Sequence, residues 1–376
     1  MAVNSQRVET HLPVEDWRKK FRDVWNQTDE LFSLLRSTDD YYKQPIKLRL
    51  PLIFYLGHLP CFSWLQFRNI DKDSQPIDKL YDQIFERGVD PDVETGVVKH
   101  NHSSQFSIDT TNEEKYWRSF SVASVNDYKR KVRAKLIDIL TNINLDLNDI
   151  QILNILNIAL EHEMLHQETM LYMFIHLPIE SLRLDITYED EFYRSLHISS
   201  LPDNNWVFLP GGQTSLGKSY DVPINEYSFG WDNEFPCESA YISPFEMQSH
   251  PIRNGDFLQF VVNNGYTTSD WWDTKVFQWI TTSDIRHPAT WVFNEGSYQV
   301  NFILQRHIPI EQVFDHPVLV SQVEAKAYCR WLSNKTGEHI GLPPEAEWVY
   351  AMWDWSDCLN TGAFVKNANI NFRRFH

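Results

Sequence analysis

Four stretches in the first half of the chain carry apolar residues at the three- and four-residue spacing typical of amphipathic helices. They cover residues 13–37, 48–67, 124–142 and 148–176. Pro60 falls inside the second stretch, and because proline lacks a backbone N–H, we expect it to kink or end that helix. Four helices of this length predict a bundle, a fold in which metal ligands project from facing helices.

The pattern changes after about residue 200, where short apolar segments are separated by Trp, Gly, Asn and Pro. One clear helical pattern remains, at residues 321–335. We therefore expect a mixed, irregular second domain and an α+β multidomain chain, divided into residues 1–198 and 199–376. The connection from residue 69 to 124 is long and polar, and we expect it to cover the mouth of the bundle.

Composition narrows the class of protein. A chain of 376 residues exceeds the usual size of one compact core, which agrees with two domains. Its formal net charge of -17 argues against a nucleic-acid partner, because binding to phosphates needs an excess of Lys and Arg. The opening residues show no signal-peptide pattern, and no run approaches the roughly 20 apolar residues of a membrane span. We expect a cytoplasmic protein with no membrane partner.

The four cysteines are far apart and form no C-x-x-C pair, which fits reduced thiols better than a zinc cluster. The candidate chemistry lies instead with His162 and His166. These residues are four apart on a predicted helix, so both imidazoles lie on one face within reach of a single ion. Neutral imidazole binds Fe, Zn, Cu and Ni, so the pair alone does not identify the metal.

Two other interpretations of the pair stay open. Both histidines could be hydrogen-bonded core residues. Residues 162–166 also match H-E-x-x-H, the zinc metalloprotease motif, in which Glu163 would be the general base. The continuation typical of metzincins is missing after His166, although a downstream carboxylate could still supply a third zinc ligand.

His58 favours a metal centre with three histidines. It lies in an otherwise apolar helical run, where burying an imidazole without a partner would cost free energy. We therefore predict His58, His162 and His166 as the metal ligands. Glu168 lies about 140° around the helix from the mean direction of the pair, so we expect it to act outside the ligand set or to be structural.

These residues resemble a known family, the ergothioneine and ovothiol sulfoxide synthases. The family's H-x-x-x-H-x-E motif in a DinB-like four-helix bundle is matched by residues 162–168 (HEMLHQE), and its Gly-His context by residues 56–58 (LGH). Its second domain is similar to the formylglycine-generating enzyme, with a C-type-lectin-like fold. The matching segments here are 209–212 (LPGG), 229–236 (FGWDNEFP), 254–261 (NGDFLQFV) and 342–348 (LPPEAEW). Residues 84–93 (IFERGVDPDV) look like the fungal fusion enzymes of ergothioneine synthesis, whose methyltransferase domain is not found here.

The resemblance implies an iron(II)-dependent, oxygen-consuming enzyme. It would join hercynine or histidine to cysteine or gamma-glutamylcysteine and give a sulfoxide. Three histidines would leave positions on Fe(II) for a thiolate and for dioxygen. Arg87 is a candidate for binding a substrate carboxylate, since the guanidinium offers a fork of donors, although a solvated arginine is an equal alternative.

The chain also departs from the family pattern. Family members continue beyond the equivalent of residues 369–372 into a G-x-x-W-E-W-type segment and a stretch with a tyrosine that assists oxygen activation, whereas this chain ends at His376. We therefore expect an incomplete second domain and assign no catalytic tyrosine. An inactive homologue that acts as a scaffold or regulatory subunit remains an alternative, as does the zinc protease.

Overall fold

The computed structural model describes residues 14–46, 49–86, 113–142, 145–183, 203–224, 227–301 and 307–353. These residues form two compact units. The first contains the described residues up to 183 together with those of segment 219–235, and the second contains those of 203–218 and 236–353. The expected domain boundary at residue 198 lies outside the described residues.

The first unit is helical. Its helices are α1 (Val14–Ser33), α2 (Leu52–Phe67), α3 (Lys79–Phe85), α4 (Glu113–Arg118), α5 (Val122–Asn142) and α6 (Ile150–Phe174). The four long helices α1, α2, α5 and α6 are the four that the apolar pattern predicts. Helix α2 packs against α3, α5 and α6, and α1 packs against α5 and α6. The core therefore lies around α2, most of whose side chains are buried.

Of the two effects expected of Pro60, an end to the second helix is wrong, because α2 continues through it to Phe67. A proline inside a helix costs about 3 kcal/mol. Beyond it, Trp64 and Phe67 are fully buried, and each such burial stabilises the fold by roughly 1.5–3 kcal/mol. Packing of the last helical turns offsets the lost backbone hydrogen bond.

Segment 219–235 is grouped with the first unit, although the chain on both sides of it belongs to the second. The Tyr227 hydroxyl donates a hydrogen bond to Asn154 Oδ1 at 2.7 Å and accepts one from Asn157 Nδ2 at 3.4 Å. Both asparagines belong to α6. The segment thus packs on the helix that also carries His162 and His166.

The second unit combines short strands with helices. The strands are β1 (Trp206–Leu209), β2 (Gly212–Leu216), β3 (Glu238–Ile242), β4 (Phe245–Gln248), β5 (Trp291–Asn294), β6 (Ser297–Asn301) and β7 (His307–Pro309). They pair antiparallel as β1 with β4, β2 with β3, and β5, β6 and β7 in that order. The helices are α7 (Asn254–Val262), α8 (Thr274–Thr282), α9 (Gln322–Thr336) and α10 (Glu345–Trp353).

A glycine lets the first two small sheets meet. Gly211 joins β1 to β2 with φ +73°, and a Cβ there would lie 2.4 Å from the carbonyl oxygen of Ile242. Only glycine combines this backbone conformation with so close an approach. Helix α9 agrees with its prediction and begins at the N-cap Ser321, whose side chain accepts from the Glu324 N–H. No helix in the described ranges is long and apolar enough to cross a membrane.

Candidate metal centre

The three predicted ligands lie together inside the first unit. His58 comes from α2, and His162 and His166 come from successive turns of α6. One ring nitrogen of each lies within 4.8 Å of those of the other two. The ring centroids of His162 and His166 are 4.5 Å apart, and that of His58 is 5.0 and 5.2 Å from them.

Aromatic side chains surround this histidine group. His58 is only 3% exposed and stacks on Phe54 with ring centroids 4.9 Å apart. Phe62 stacks on His162 at 3.5 Å, and Tyr55 lies beside His166 at 5.5 Å. Such a shell reduces the contact of the imidazoles with water and lowers the local dielectric constant.

Burial keeps the three imidazoles neutral. Desolvation lowers the pKa of His58 to about 4, although its hydrogen bond to Phe85 acts in the opposite direction. Desolvation, the neighbouring His58 and Arg49 lower the pKa of His166 to about 3. The pKa of His162 is also lowered, first by desolvation and then by the other two histidines. Each ring therefore keeps a lone pair for a metal at neutral pH.

The ring nitrogens fit a bound metal ion. His58 Nδ1 lies 2.7 Å from the Phe85 carbonyl oxygen, which leaves the lone pair of Nε2 free to bind a metal. The Nδ1 atoms of His162 and His166 are buried and have no hydrogen-bond partner among the described residues. Buried polar atoms without partners cost free energy, so the unpaired nitrogens of His162 and His166 beside the lone pair of His58 fit a metal. The donor set suits Fe, Zn, Cu or Ni.

Glu163 points its carboxylate into a different network. It is 2% exposed, accepts a hydrogen bond from Thr28 Oγ1 at 2.8 Å, and lies 3.6 Å from Arg133 Nη2. Gln167 Nε2 also donates to Thr28 Oγ1, at 3.0 Å. Thr28 belongs to α1 and Arg133 to α5. A general base of a metalloprotease must reach a metal-bound water, and these contacts direct Glu163 to α1 and α5 instead.

The other two expected site residues are not joined to the histidines. Glu168 is exposed on α6, and no hydrogen bond or ion pair in the described part of the chain connects it to the three rings. Its expected position just outside the ligand set therefore has no support from a contact. Arg87 lies outside the described residues.

Sequence reasoning missed the aromatic shell and the partner of His58. The shell left a signal, because Phe54, His58 and Phe62 follow at four-residue spacing on one face of α2. The partner of His58 could not be recognised from the residue types, since Phe85 contributes its backbone carbonyl rather than its side chain.

Together, the fold and the site define a two-domain protein whose helical first domain brings three histidines together, one of them buried and two half-buried. The DinB superfamily model matches residues 20–170, and the sulfatase-modifying factor enzyme 1-like domain matches residues 198–355. This pair of domains is consistent with the ergothioneine sulfoxide synthase family and confirms the predicted resemblance and fold class.

The similar curated proteins agree with this assignment. The chain is 29% identical to ergothioneine biosynthesis protein 1 of Neurospora crassa over 66% of its own length and 27% of the relative. It is 23% identical to the Schizosaccharomyces pombe protein of the same name, over 83% of this chain and 38% of the relative. Hercynine oxygenase of Mycobacterium tuberculosis is 31% identical over 33% of this chain and 27% of the relative. The chain thus spans less than two fifths of these relatives.

Proposed function

We propose that the chain takes part in ergothioneine-type sulfoxide synthesis as a non-haem iron, oxygen-dependent enzyme. The observation that supports this proposal most is the convergence of His58, His162 and His166 from two helices of a DinB-like bundle. The names of the relatives point to the same pathway chemistry. The substrates we propose are hercynine or histidine and a thiol, either cysteine or gamma-glutamylcysteine.

The overall reaction balances with dioxygen as the oxidant. The imidazole C–H and the thiol S–H are lost, a C–S bond and an S–O bond form, and the second oxygen atom leaves as water. Iron(II), when bound, would supply the redox chemistry and a soft-donor position for the thiolate. The three neutral histidines would hold the ion, and the stacked rings of Phe54 and Phe62 would exclude water from it.

Several finer assignments belong to the same proposal. Arg87 would bind a substrate carboxylate through its fork of donors. Glu168 would act outside the ligand set, without direct metal contact. The domains would be residues 1–198 and 199–376, and the protein would work in the cytoplasm, without nucleic-acid or membrane partners.

The test is a product assay with purified protein. The chain is loaded anaerobically with Fe(II), mixed with hercynine and each of the two thiols, and exposed to oxygen, and the sulfoxide is sought by mass spectrometry. We expect product with one of the thiols and none from the folded His162→Ala variant. A folded, iron-loaded chain that consumes neither substrate would contradict the enzyme proposal and favour the scaffold alternative.

A further inference from the structure

Helix α3 brings a backbone carbonyl to His58. The Phe85 carbonyl oxygen at the end of α3 lies 2.7 Å from His58 Nδ1. A carbonyl can only accept, so the proton of the neutral ring must be on Nδ1, and the lone pair is on Nε2. We propose that α3 is a positioning element, held in place by Asp82, that fixes the Nδ1–H tautomer and the orientation of His58. This inference rests on the proposed metal centre.

Asp82 connects α3 to two helices of the bundle. Its Oδ1 accepts a hydrogen bond from the Tyr128 hydroxyl of α5 at 2.7 Å, and its Oδ2 accepts one from Trp64 Nε1 of α2 at 3.3 Å. The Cys61 thiol of α2 donates to the Asp82 backbone carbonyl at 3.4 Å. Every one of these contacts is buried, and Asp82 is only 7% exposed. A seven-residue helix is too short to be stable alone, so its position depends on such contacts.

Burying a carboxylate costs free energy, because the charge loses its contacts with water. Replacing a buried ionic group by apolar packing is often neutral or stabilising, whereas a charge left without partners is strongly destabilising. Asp82 has both oxygens bonded, and burial with the nearby Cys61 and Asp82 raises the pKa of Tyr128, which keeps that hydroxyl a donor. The directional hydrogen bonds of Asp82 thus fix the position of α3 more narrowly than apolar packing alone would.

Gly57 makes room for this arrangement. A Cβ at Gly57 would lie 2.5 Å from the Phe85 ring, which is fully buried. The absence of a side chain at residue 57 therefore lets Phe85 approach α2 closely enough for its carbonyl to meet the next residue, His58. This gives the Gly57-His58 pair a physical explanation.

His58 differs from the other two histidines in having a hydrogen-bond partner on its ring. It is the one ligand candidate for which the described residues provide an acceptor at the second ring nitrogen. Such outer partners fix the ring of a metal-binding histidine, and their loss typically lowers metal affinity by roughly 10–100-fold. Asp82 does not contact His58 and acts on it only through the position of α3. We therefore place its effect on metal affinity at the lower end of that range.

The test compares the full chain with Asp82→Asn. The asparagine keeps the shape but directs an amide NH₂ group at one of two donors. Nitrogen NMR of the metal-free protein reports the His58 tautomer, and a competition titration with Zn(II) reports affinity. We expect the Nδ1–H tautomer in the parent, a mixture of tautomers in the variant, and zinc affinity about 10-fold lower. Tyr128→Phe, which removes one hydrogen bond, should show the same changes to a smaller extent and replaces Asp82→Asn if that chain does not fold.

Asp40→Asn is the matched control. Asp40 is a buried carboxylate of the same unit, but its partners are Ser37 and Lys43 rather than α3. This variant should lose stability and keep both the His58 tautomer and the zinc affinity.

Three outcomes would overturn the inference: the Nε2–H tautomer in the parent, a parent that binds no zinc, or an Asp82→Asn variant with unchanged tautomer and affinity. A parent that behaves as expected but forms no sulfoxide would contradict the proposed function alone.

Discussion

The two units differ most in what they bury. Ten polar or charged side chains are buried among the described residues, and nine of them belong to the first unit. They include His58, Asp82 and Glu163. The one in the second unit is Asn254, whose Nδ2 donates to the Val313 carbonyl at 3.0 Å. Buried polar groups cost free energy unless they are paired. The stability of the first unit therefore depends on hydrogen bonds in its interior more than that of the second.

Seven of the fourteen buried residues in the main hydrophobic cluster of the second unit are aromatic. Phe257, Phe260, Trp272, Trp291 and Trp331 form one cluster with aliphatic residues around them. Their rings lie at tilted, edge-on and offset angles, as in the pair Phe257 and Phe260 with centroids 5.3 Å apart. Non-directional burial of this kind stabilises a fold without specifying chemistry. The candidate metal centre and its hydrogen-bonded surroundings thus belong to the unit that buries most of the polar groups.

The largest effect should come from the aromatic interior. Phe260 is fully buried, and Phe260→Ala should lower the free energy of unfolding by about 3–5 kcal/mol through lost burial and a cavity. Denaturant unfolding of the full chain measures this loss. Phe293→Ala is the control, because Phe293 is 55% exposed and should change stability by no more than about 0.5 kcal/mol. Equal losses in the two variants would show that this cluster is not the core.

A smaller loss should follow from the polar interior of the first unit. Thr28→Val keeps the volume but removes the hydroxyl that donates to Glu163 and accepts from Gln167. Removing one buried hydrogen-bond partner from each of these two groups should cost about 1–3 kcal/mol. Thermal and denaturant unfolding would measure it, with Thr282→Val as the control at an exposed threonine of α8. A Thr28→Val protein as stable as the control variant would mean that this network does not hold the bundle.

A helix end in the second unit should matter less. Ser321→Ala removes the side chain that caps α9 and should lower the free energy of unfolding by about 1 kcal/mol. Ser283 lies at the C-terminal end of α8, where a serine side chain has no free N–H groups to cap, so Ser283→Ala should be close to neutral. The two variants compared by denaturant unfolding separate capping from the loss of any serine. Indistinguishable midpoints would argue against the cap.

The smallest effect on stability should come from Glu163→Gln. The glutamine can still accept from Thr28, and burial already raises the pKa of Glu163, so the cost should be about 1 kcal/mol or less. Metal binding should persist, because the carboxylate faces α1 and α5. The measurement is metal content together with a peptide-hydrolysis assay. Zinc-dependent hydrolysis by the parent that disappears in this variant would restore the protease interpretation.

Long-range periodicity made much of the first unit predictable. Helices α1, α5 and α6 begin and end within a few residues of the stretches whose apolar residues follow a helical period. The candidate ligands were also predictable, since His162 and His166 share a helix face and His58 interrupts an apolar run. The helix end considered at Pro60 was wrong, because tertiary packing of Trp64 and Phe67 outweighs the local preference of proline.

Short elements and backbone contacts were not predictable. Helices α3, α7 and α8 have only seven to nine residues, about two turns, so no helical period emerges from them. The hydrogen bond from His58 to the Phe85 carbonyl leaves no mark in the residue types. The packing of segment 219–235 on α6 depends on Tyr227 meeting two asparagines about 70 residues earlier.

The proposed function depends on a metal held in the first unit by His58, His162 and His166. The most direct measurement is the metal content and oxidation state of anaerobically purified protein, compared between the parent and His58→Ala. We expect stoichiometric iron(II) in the parent and its loss from a variant that remains folded by circular dichroism. Zinc retained in His58→Ala, or no metal in either protein, would contradict this expectation.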